Sequence, residues 1–387
     1  MTSARLRPEL AGVPESPLVQ LATAAERMPG AIKLCYGESE MPTPDFICRA
    51  AYDAARAGHT FYTHTAGCPE LREAIAAKIR ALHDIEYRPL EIMATVGASM
   101  AIYTAIRALV GRGDNAVIVA PAYAIYANGV TMAGGEARMA PLAVNGGRFE
   151  LDLDRVKRAV DANTRVLVVN SPSNPTGWMI TVGEQRALAE LAARHDLTIL
   201  SDEVYERLAY DVPLAPGFAS IVTDRDRLIV VNSFSKTYNM TGWRLGWAQA
   251  SESVIRVMAS AAEFMTSNPA APVQQAGIVA LRDGEAYIAE LRAHYAARRA
   301  QVQAALGDVP GVSLAVPDGA FYAWLRIEGL EDSSRLAAGL LKNAGVALAP
   351  GSAFGAAGEG CLRLCFAVSE PTLTEALART RRHLSGG

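Results

Sequence analysis

The sequence predicts an α/β fold: a large domain with a mainly parallel sheet flanked by helices, then a small α+β domain. Three observations predict it. Four short apolar runs, Ala116–Ala120, Val166–Val169, Thr198–Leu200 and Leu228–Val231, lack polar alternation, as strands buried on both faces of a parallel sheet do. Segments of helical spacing lie between them, and alternating β and α elements imply a doubly wound domain. Beyond about Ile255 the helical segments lengthen and a compact α+β tail follows.

In chain order, residues 1–45 are rich in proline and polar residues and read as an arm that joins the small domain, with a strand expected over Ile32–Tyr36. From Asp45 to about Ala57, Phe46, Ile47, Ala50, Ala51 and Ala54 fall on one helical face. Pro69 to Leu82 repeats the pattern with Leu71, Ile75 and Ile79, and Pro69 suits a first helical turn. Ser99–Val110 is a further helix, closed by the Gly111-Arg-Gly-Asp114 turn. Helices are also expected over Gly183–Ala193 and Glu285–Leu306, and strands near Ala320–Leu325 and Leu362–Ala367. The implied division is residues 1–45, 46–285 for the large domain and 286–387 for the small one.

The 387 residues are 50% apolar and 20% charged, which excludes a disordered or collagen-like chain. Lys plus Arg number 37 against 40 Asp plus Glu, a net charge of -3, which gives no electrostatic reason to expect nucleic acid or an anionic membrane. The five cysteines, Cys35, Cys48, Cys68, Cys361 and Cys365, are odd in number and irregularly spaced, unlike a disulfide framework or a zinc site. The amino terminus carries no apolar leader, and no run approaches a membrane span. A cytoplasmic protein with no membrane partner and no metal is expected.

Ligands of open parallel sheets bind beyond the carboxyl ends of the strands. There the sequence sets Asn170-Ser-Pro-Ser-Asn174, then Ser201-Asp202-Glu203-Val204-Tyr205, then Asn232-Ser233-Phe234-Ser235-Lys236, with Arg244 close behind. A lysine among Ser, Arg and Asp is a candidate Schiff-base nucleophile. A carboxylate beside a pyridine ring keeps the ring nitrogen protonated and makes the ring an electron sink. Serine hydroxyls and an arginine fork suit a phosphate. The Val96-Gly97-Ala98-Ser99 turn adds backbone N–H groups at a helix start. Together these groups describe a site for pyridoxal 5'-phosphate.

The blocks Ser171-Pro-Ser-Asn174-Pro-Thr-Gly177, Ser201-Asp202-Glu-Val-Tyr205 and Ser233-Phe-Ser-Lys236-Thr-Tyr-Asn-Met-Thr-Gly-Trp-Arg244 resemble, in order and spacing, those of the class I/II aminotransferases of pyridoxal-phosphate fold type I. The resemblance runs from Gly37 to Arg363. It implies that Lys236 carries the cofactor as a Schiff base and later moves a proton between the substrate α-carbon and the cofactor. It implies that Asp202 pairs with the ring nitrogen, and that Tyr205 and Asn174 bond the ring hydroxyl. Ser233, Ser235 and Arg244, with the amides of Ala98 and Ser99, would bind the phosphate. Tyr123 would stack on the ring. Arg363 would grip the substrate α-carboxylate as a bidentate fork, with Gly37 close by. Tyr62 would reach the phosphate of a neighbouring subunit, implying a homodimer with shared active sites.

The implied reaction is a ping-pong transfer of an amino group between an L-amino acid and a 2-oxo acid. A β-elimination lyase or amino-acid cyclase on the same scaffold is the alternative, since Lys236 and Asp202 would serve it equally. Several residues also fit plainer roles: Asp202 a helix N-cap, Tyr123 a core aromatic, Arg363 a surface strand charge. Against the last, Cys361, Arg363 and Cys365 share one strand face, as a cleft wall would. If the strand is still extended there, Glu203 points away from the site, and the six histidines show no metal or triad spacing. The resemblance also implies that a dicarboxylate substrate needs a second cation, which some relatives supply as a Lys in the turn that is Gly97-Ala98-Ser99 here. Its absence argues against a strict aspartate enzyme unless a partner subunit or the amino-terminal arm supplies the cation, and Phe321 and Tyr322 are candidates for the substrate side.

Overall fold

A computed structural model describes Leu10, Val13 and residues 15–386. Seven strands form the central sheet: β2 (Ile92–Thr95), β3 (Asn115–Ala120), β4 (Glu136–Pro141), β7 (Thr164–Asn170), β8 (Thr198–Asp202), β9 (Leu228–Ser233) and β10 (Gly246–Gln249). A short β1 (Ile32–Lys33) precedes them, and the β5–β6 hairpin (Ala143–Asn145, Arg148–Glu150) lies outside the sheet. The order across the sheet is β2-β10-β9-β8-β7-β3-β4, and β10 alone runs antiparallel to its neighbours. The four apolar runs of the sequence are β3, β7, β8 and β9, the inner parallel strands.

Helices cover both faces. Gly97–Leu109 and Glu252–Glu263 bury Ile102, Ile106, Ile255 and Met258 against Ile118, Val166 and Val231. Val182–Arg194 buries Leu188 and Leu191 on the other face against Val117, Leu167 and Ile199. Its start is fixed by a reciprocal cap: Thr181 Oγ1 accepts from Glu184 N, and Glu184 Oε2 accepts from Thr181 N.

The tail forms a second core around a four-stranded antiparallel sheet, β11 (Val312–Ala315), β12 (Tyr322–Ile327), β14 (Ala349–Pro350) and β15 (Cys361–Cys365). The Glu285–Leu306 helix packs Leu291, Tyr295 and Val302 on that core. The amino-terminal helix Pro17–Glu26 adds Leu21, Ala22 and Ala25 to it, and β1 pairs in parallel with β13 (Val346–Ala347). The strand expected over Ile32–Tyr36 stops at Lys33. From Cys35 the chain leaves the sheet because its carbonyls serve other donors: Cys35 O accepts from Arg363 and Gly37 O from Lys236. Among the described residues no helix is long and apolar enough to cross a membrane.

Register brings the strand ends together. Asn170 lies opposite Asp202, and Asp202 opposite Val231, two residues before Ser233. The same edge receives the start of the Gly97–Leu109 helix, where Gly97 adopts φ +70.

Candidate active site

A cavity of about 350 Å³ opens at these strand ends. Of the predicted site residues, Gly37, Ala98, Ser99, Tyr123, Asn174, Asp202, Tyr205, Ser233, Ser235, Lys236, Arg244 and Arg363 all line it. Tyr62 does not; it is 90% exposed, with Phe61 beside it at 81%.

Lys236 sits on one helical turn, Phe234–Thr237, that leaves the end of β9. Ser233 Oγ caps this turn by accepting from Ser235 N at 3.0 Å. Lys236 Nζ donates to Gly37 O at 2.5 Å, and burial lowers its pKa to about 8. An amine in that range carries a far larger neutral, nucleophilic fraction near neutral pH than an ordinary lysine does.

Asp202 ends β8 and is buried. Oδ2 accepts from the Tyr126 hydroxyl at 2.6 Å, and Oδ1 from Val204 N at 3.2 Å. Burial raises the carboxyl to about 6, against the lowering effect of those two donors. A cation placed at this carboxylate would relieve the desolvation cost. Tyr126 was not among the sequence candidates. Its signal was faint, one aromatic three residues after Tyr123 in an otherwise apolar helix start. The N-cap reading of Asp202 is present only as the short local bond to Val204.

Tyr205 and Tyr322 share a hydroxyl–hydroxyl hydrogen bond of 2.6 Å. Tyr322 also lies beneath the Arg363 guanidinium at 4.5 Å, with Phe354 at 4.8 Å. Arg363 is 1% exposed; Nη1 donates to Asn174 Oδ1 at 2.8 Å, Nη2 donates to Cys35 O, and buried Nε has no partner among the described residues. A surface strand charge is thereby excluded. Asn174 itself is oriented by Asn170, whose Oδ1 accepts from Asn174 N at 2.7 Å.

At the far end of the cavity, Ser233 Oγ, Ser235 Oγ, the start of the Gly97–Leu109 helix and Arg244 converge. Ser233 Oγ donates to Ser235 Oγ at 2.9 Å, and Arg244 Nη1 donates to Thr241 O at 2.9 Å. A Cβ on Gly97 would stand 2.4 Å from Arg244 Nη2, so glycine is what lets the guanidinium approach the helix start. Hydroxyls, first-turn amides and a fork make an anion cradle.

The sequence model of "Aminotransferase class I and II" matches residues 29–379. The chain belongs to this family. The aspartate aminotransferase of Pyrococcus abyssi is 38% identical over 95% of this chain and 95% of its own. Aromatic-amino-acid aminotransferase 2 of Thermococcus litoralis is 36% identical, again over 95% of each. The solved structure of N-succinyldiaminopimelate aminotransferase from Mycobacterium tuberculosis superposes with a TM-score of 0.93 at 33% identity, covering 97% of this chain and 99% of that one. The protein is therefore an aminotransferase of fold type I, and the lyase or cyclase alternative finds no support among these relatives. Its cofactor, as in the family, is pyridoxal 5'-phosphate. The residues fit that group: a buried carboxylate for a ring cation, a depressed lysine for an aldehyde and an anion cradle for a phosphate line one cavity.

Proposed function

We propose that this aminotransferase binds its cofactor and substrate through the residues that the sequence singled out, and that its amino donor carries a neutral side chain. One observation carries the residue assignment: Lys236, Asp202 and Arg363 come from three separate segments and share one cavity. Pyridoxal phosphate, when bound, supplies the aldehyde that accepts the amino group and a ring that withdraws electrons. Asp202, held by Tyr126, keeps the ring nitrogen cationic. Tyr205 donates toward the ring hydroxyl while Tyr322 holds its oxygen. Ser233, Ser235, Arg244 and the first amides of the Gly97–Leu109 helix take the phosphate. Arg363, held against the Tyr322 and Phe354 rings, presents its planar fork to the α-carboxylate. Nζ of Lys236, inside the cavity, would take up and hand back the proton of the substrate α-carbon.

The donor class rests on the cavity wall. Leu18 and Val19 of the Pro17–Glu26 helix line it together with Ile102, Tyr36 and Tyr123. Its cations among the described residues are Lys236, Arg244 and Arg363, each assigned above. Arg107, on the same helix as Ser99, is not among its lining. A panel of amino acids against 2-oxoglutarate, pyruvate and oxaloacetate, read by oxo-acid release, tests this. Aromatic or aliphatic donors are expected to have the highest kcat/KM; aspartate at the top would overturn the donor class.

We further propose a homodimer. Phe61, Tyr62 and Phe264 are 81%, 90% and 89% exposed, which is unusual for large rings on a monomer surface. A second copy would cover them and receive Tyr62 at its phosphate cradle. The cytoplasm is the proposed location, in keeping with five cysteines that are all unpaired. Residues 46–285 and 286–387, with the arm of residues 1–45 joining the latter, remain the proposed domain division; the arm's first residues lie outside those described.

A further inference from the structure

The turn after β8 has two faces. Asp202 and Tyr205 face the cavity, while Glu203 and Glu206 project behind it and are buried, at 4% and 7% exposure. Two buried carboxylates outside the reaction are expensive unless every oxygen is satisfied. Glu206 is held at both: Oε2 lies 2.9 Å from His83 Nε2, and Oε1 accepts from Asn232 Nδ2 at 2.7 Å. Asn232 passes the order on, since its Oδ1 accepts from Ser233 N at 2.8 Å. A carboxylate only accepts and a backbone N–H only donates, so these two contacts leave the Asn232 amide a single orientation. Ser233 Oγ then accepts from Ser235 N and caps the turn that bears Lys236.

We propose that Glu206 and Asn232 are positioning residues for the phosphate end of the cofactor, acting through the series His83–Glu206–Asn232–Ser233. The inference rests on the reading above that Ser233 and Ser235 bind phosphate. The series explains why a charged residue stands where an apolar one would pack more cheaply. Glu206 anchors the end of β9 to the C-terminus of the Pro69–His83 helix, so that the Ser233 hydroxyl is fixed before the cofactor arrives. Preorganised donors bind an anion without an ordering cost. His83 fits an ionic partner: burial alone would depress its pKa, but the hydrogen bond and charge of Glu206 outweigh burial and hold it above the ordinary value.

The test measures the Kd of pyridoxal phosphate and of pyridoxal, which lacks the phosphate, by fluorescence quenching of the apoprotein. Glu206→Ala and Asn232→Ala are each expected to raise the Kd for pyridoxal phosphate about tenfold, the scale of one lost charge-assisted bond, and to leave that for pyridoxal unchanged. The double variant is expected to be no weaker than the weaker single one, because the residues act in series. Glu206→Gln should restore binding, since its carboxamide oxygen still accepts from Asn232 while its NH2 meets a neutral His83. Unchanged Kd values in both alanine variants, with only the melting temperature lowered, would overturn the proposal; so would equal weakening of both ligands. Should Glu206→Ala fail to fold, Asn232→Ala cuts the same link and decides alone. Ser235→Ala separates the two levels. If it leaves phosphate binding intact, the phosphate-site reading itself fails; if it weakens binding while Asn232→Ala does not, only the present inference fails.

Discussion

The Tyr126 hydroxyl donates to Oδ2 of Asp202 at 2.6 Å, inside a core where both residues are almost fully buried. The contact stabilises the ionised carboxylate, because a phenol O–H donates a stronger hydrogen bond to a charged oxygen than to a neutral acid. Tyr126→Phe keeps the ring and deletes the donor. Hydrogen bonds to charged groups are worth about 1.5–3 kcal/mol, so kcat/KM is expected to fall roughly tenfold to a hundredfold. Steady-state kinetics decide it; a change of less than about twofold would mean that Asp202 keeps its charge without Tyr126.

The amine of Lys236 carries a pH prediction. Burial disfavours the ammonium, so the neutral, nucleophilic form dominates above about 8 in the folded apoprotein. The rate at which the apoprotein captures pyridoxal phosphate should rise with pH and level off past that value. A rate still climbing toward the ordinary lysine range, about 10.4, would contradict it.

Arg363 binds through shape as well as charge. Arg363→Lys keeps the cation but loses the fork and the packing between the Tyr322 and Phe354 rings. The KM for the amino donor should rise by roughly a hundredfold, on about 2–3 kcal/mol of charge-assisted bonding. Cofactor affinity should hold. Titration of the visible band with donor reads the first, and apoprotein binding reads the second.

Gly97→Ala tests the anion cradle from the backbone side. An alanine at φ +70 costs about 1–2 kcal/mol in the left-handed region, and its Cβ would displace the Arg244 guanidinium. The Kd for pyridoxal phosphate should rise at least tenfold, with the pyridoxal value less affected. Equal effects on the two ligands would place the damage elsewhere.

The exposed Phe61, Tyr62 and Phe264 rings make association measurable. Sedimentation equilibrium of the holoenzyme should give twice the chain mass. A single-chain mass at micromolar concentration would remove the shared-site reading of Tyr62.

Much of this was legible in the sequence because its strongest signals are local. The apolar runs β3, β7, β8 and β9 must be buried on both faces, and the residues that follow them must stand at the strand ends. That logic puts Asn174, Asp202, Ser233 and Lys236 beyond the strand ends from sequence alone. β10 was missed because Gly246-Trp-Ala-Gln249 is too short and mixed to show periodicity, and it is held by pairing with β2 and β9 on either side. Tyr126 is not legible as a functional group in the sequence, and Tyr322 is legible only as a candidate for the substrate side, not as the partner of Tyr205. Their roles come from long-range partners, Asp202 and Tyr205, that no spacing rule connects. His83 was set aside for the same reason: its partner Glu206 lies 123 residues away. Glu203 faces away from the cavity as expected, although the chain turns directly after Asp202 instead of staying extended.

The most direct test is borohydride reduction of the holoenzyme followed by peptide mapping. The account predicts one pyridoxyl group per chain, on the peptide containing Lys236, and no label at that peptide in Lys236→Ala. A pyridoxyl group on another lysine, or an unlabelled Lys236 peptide in active enzyme, would contradict it.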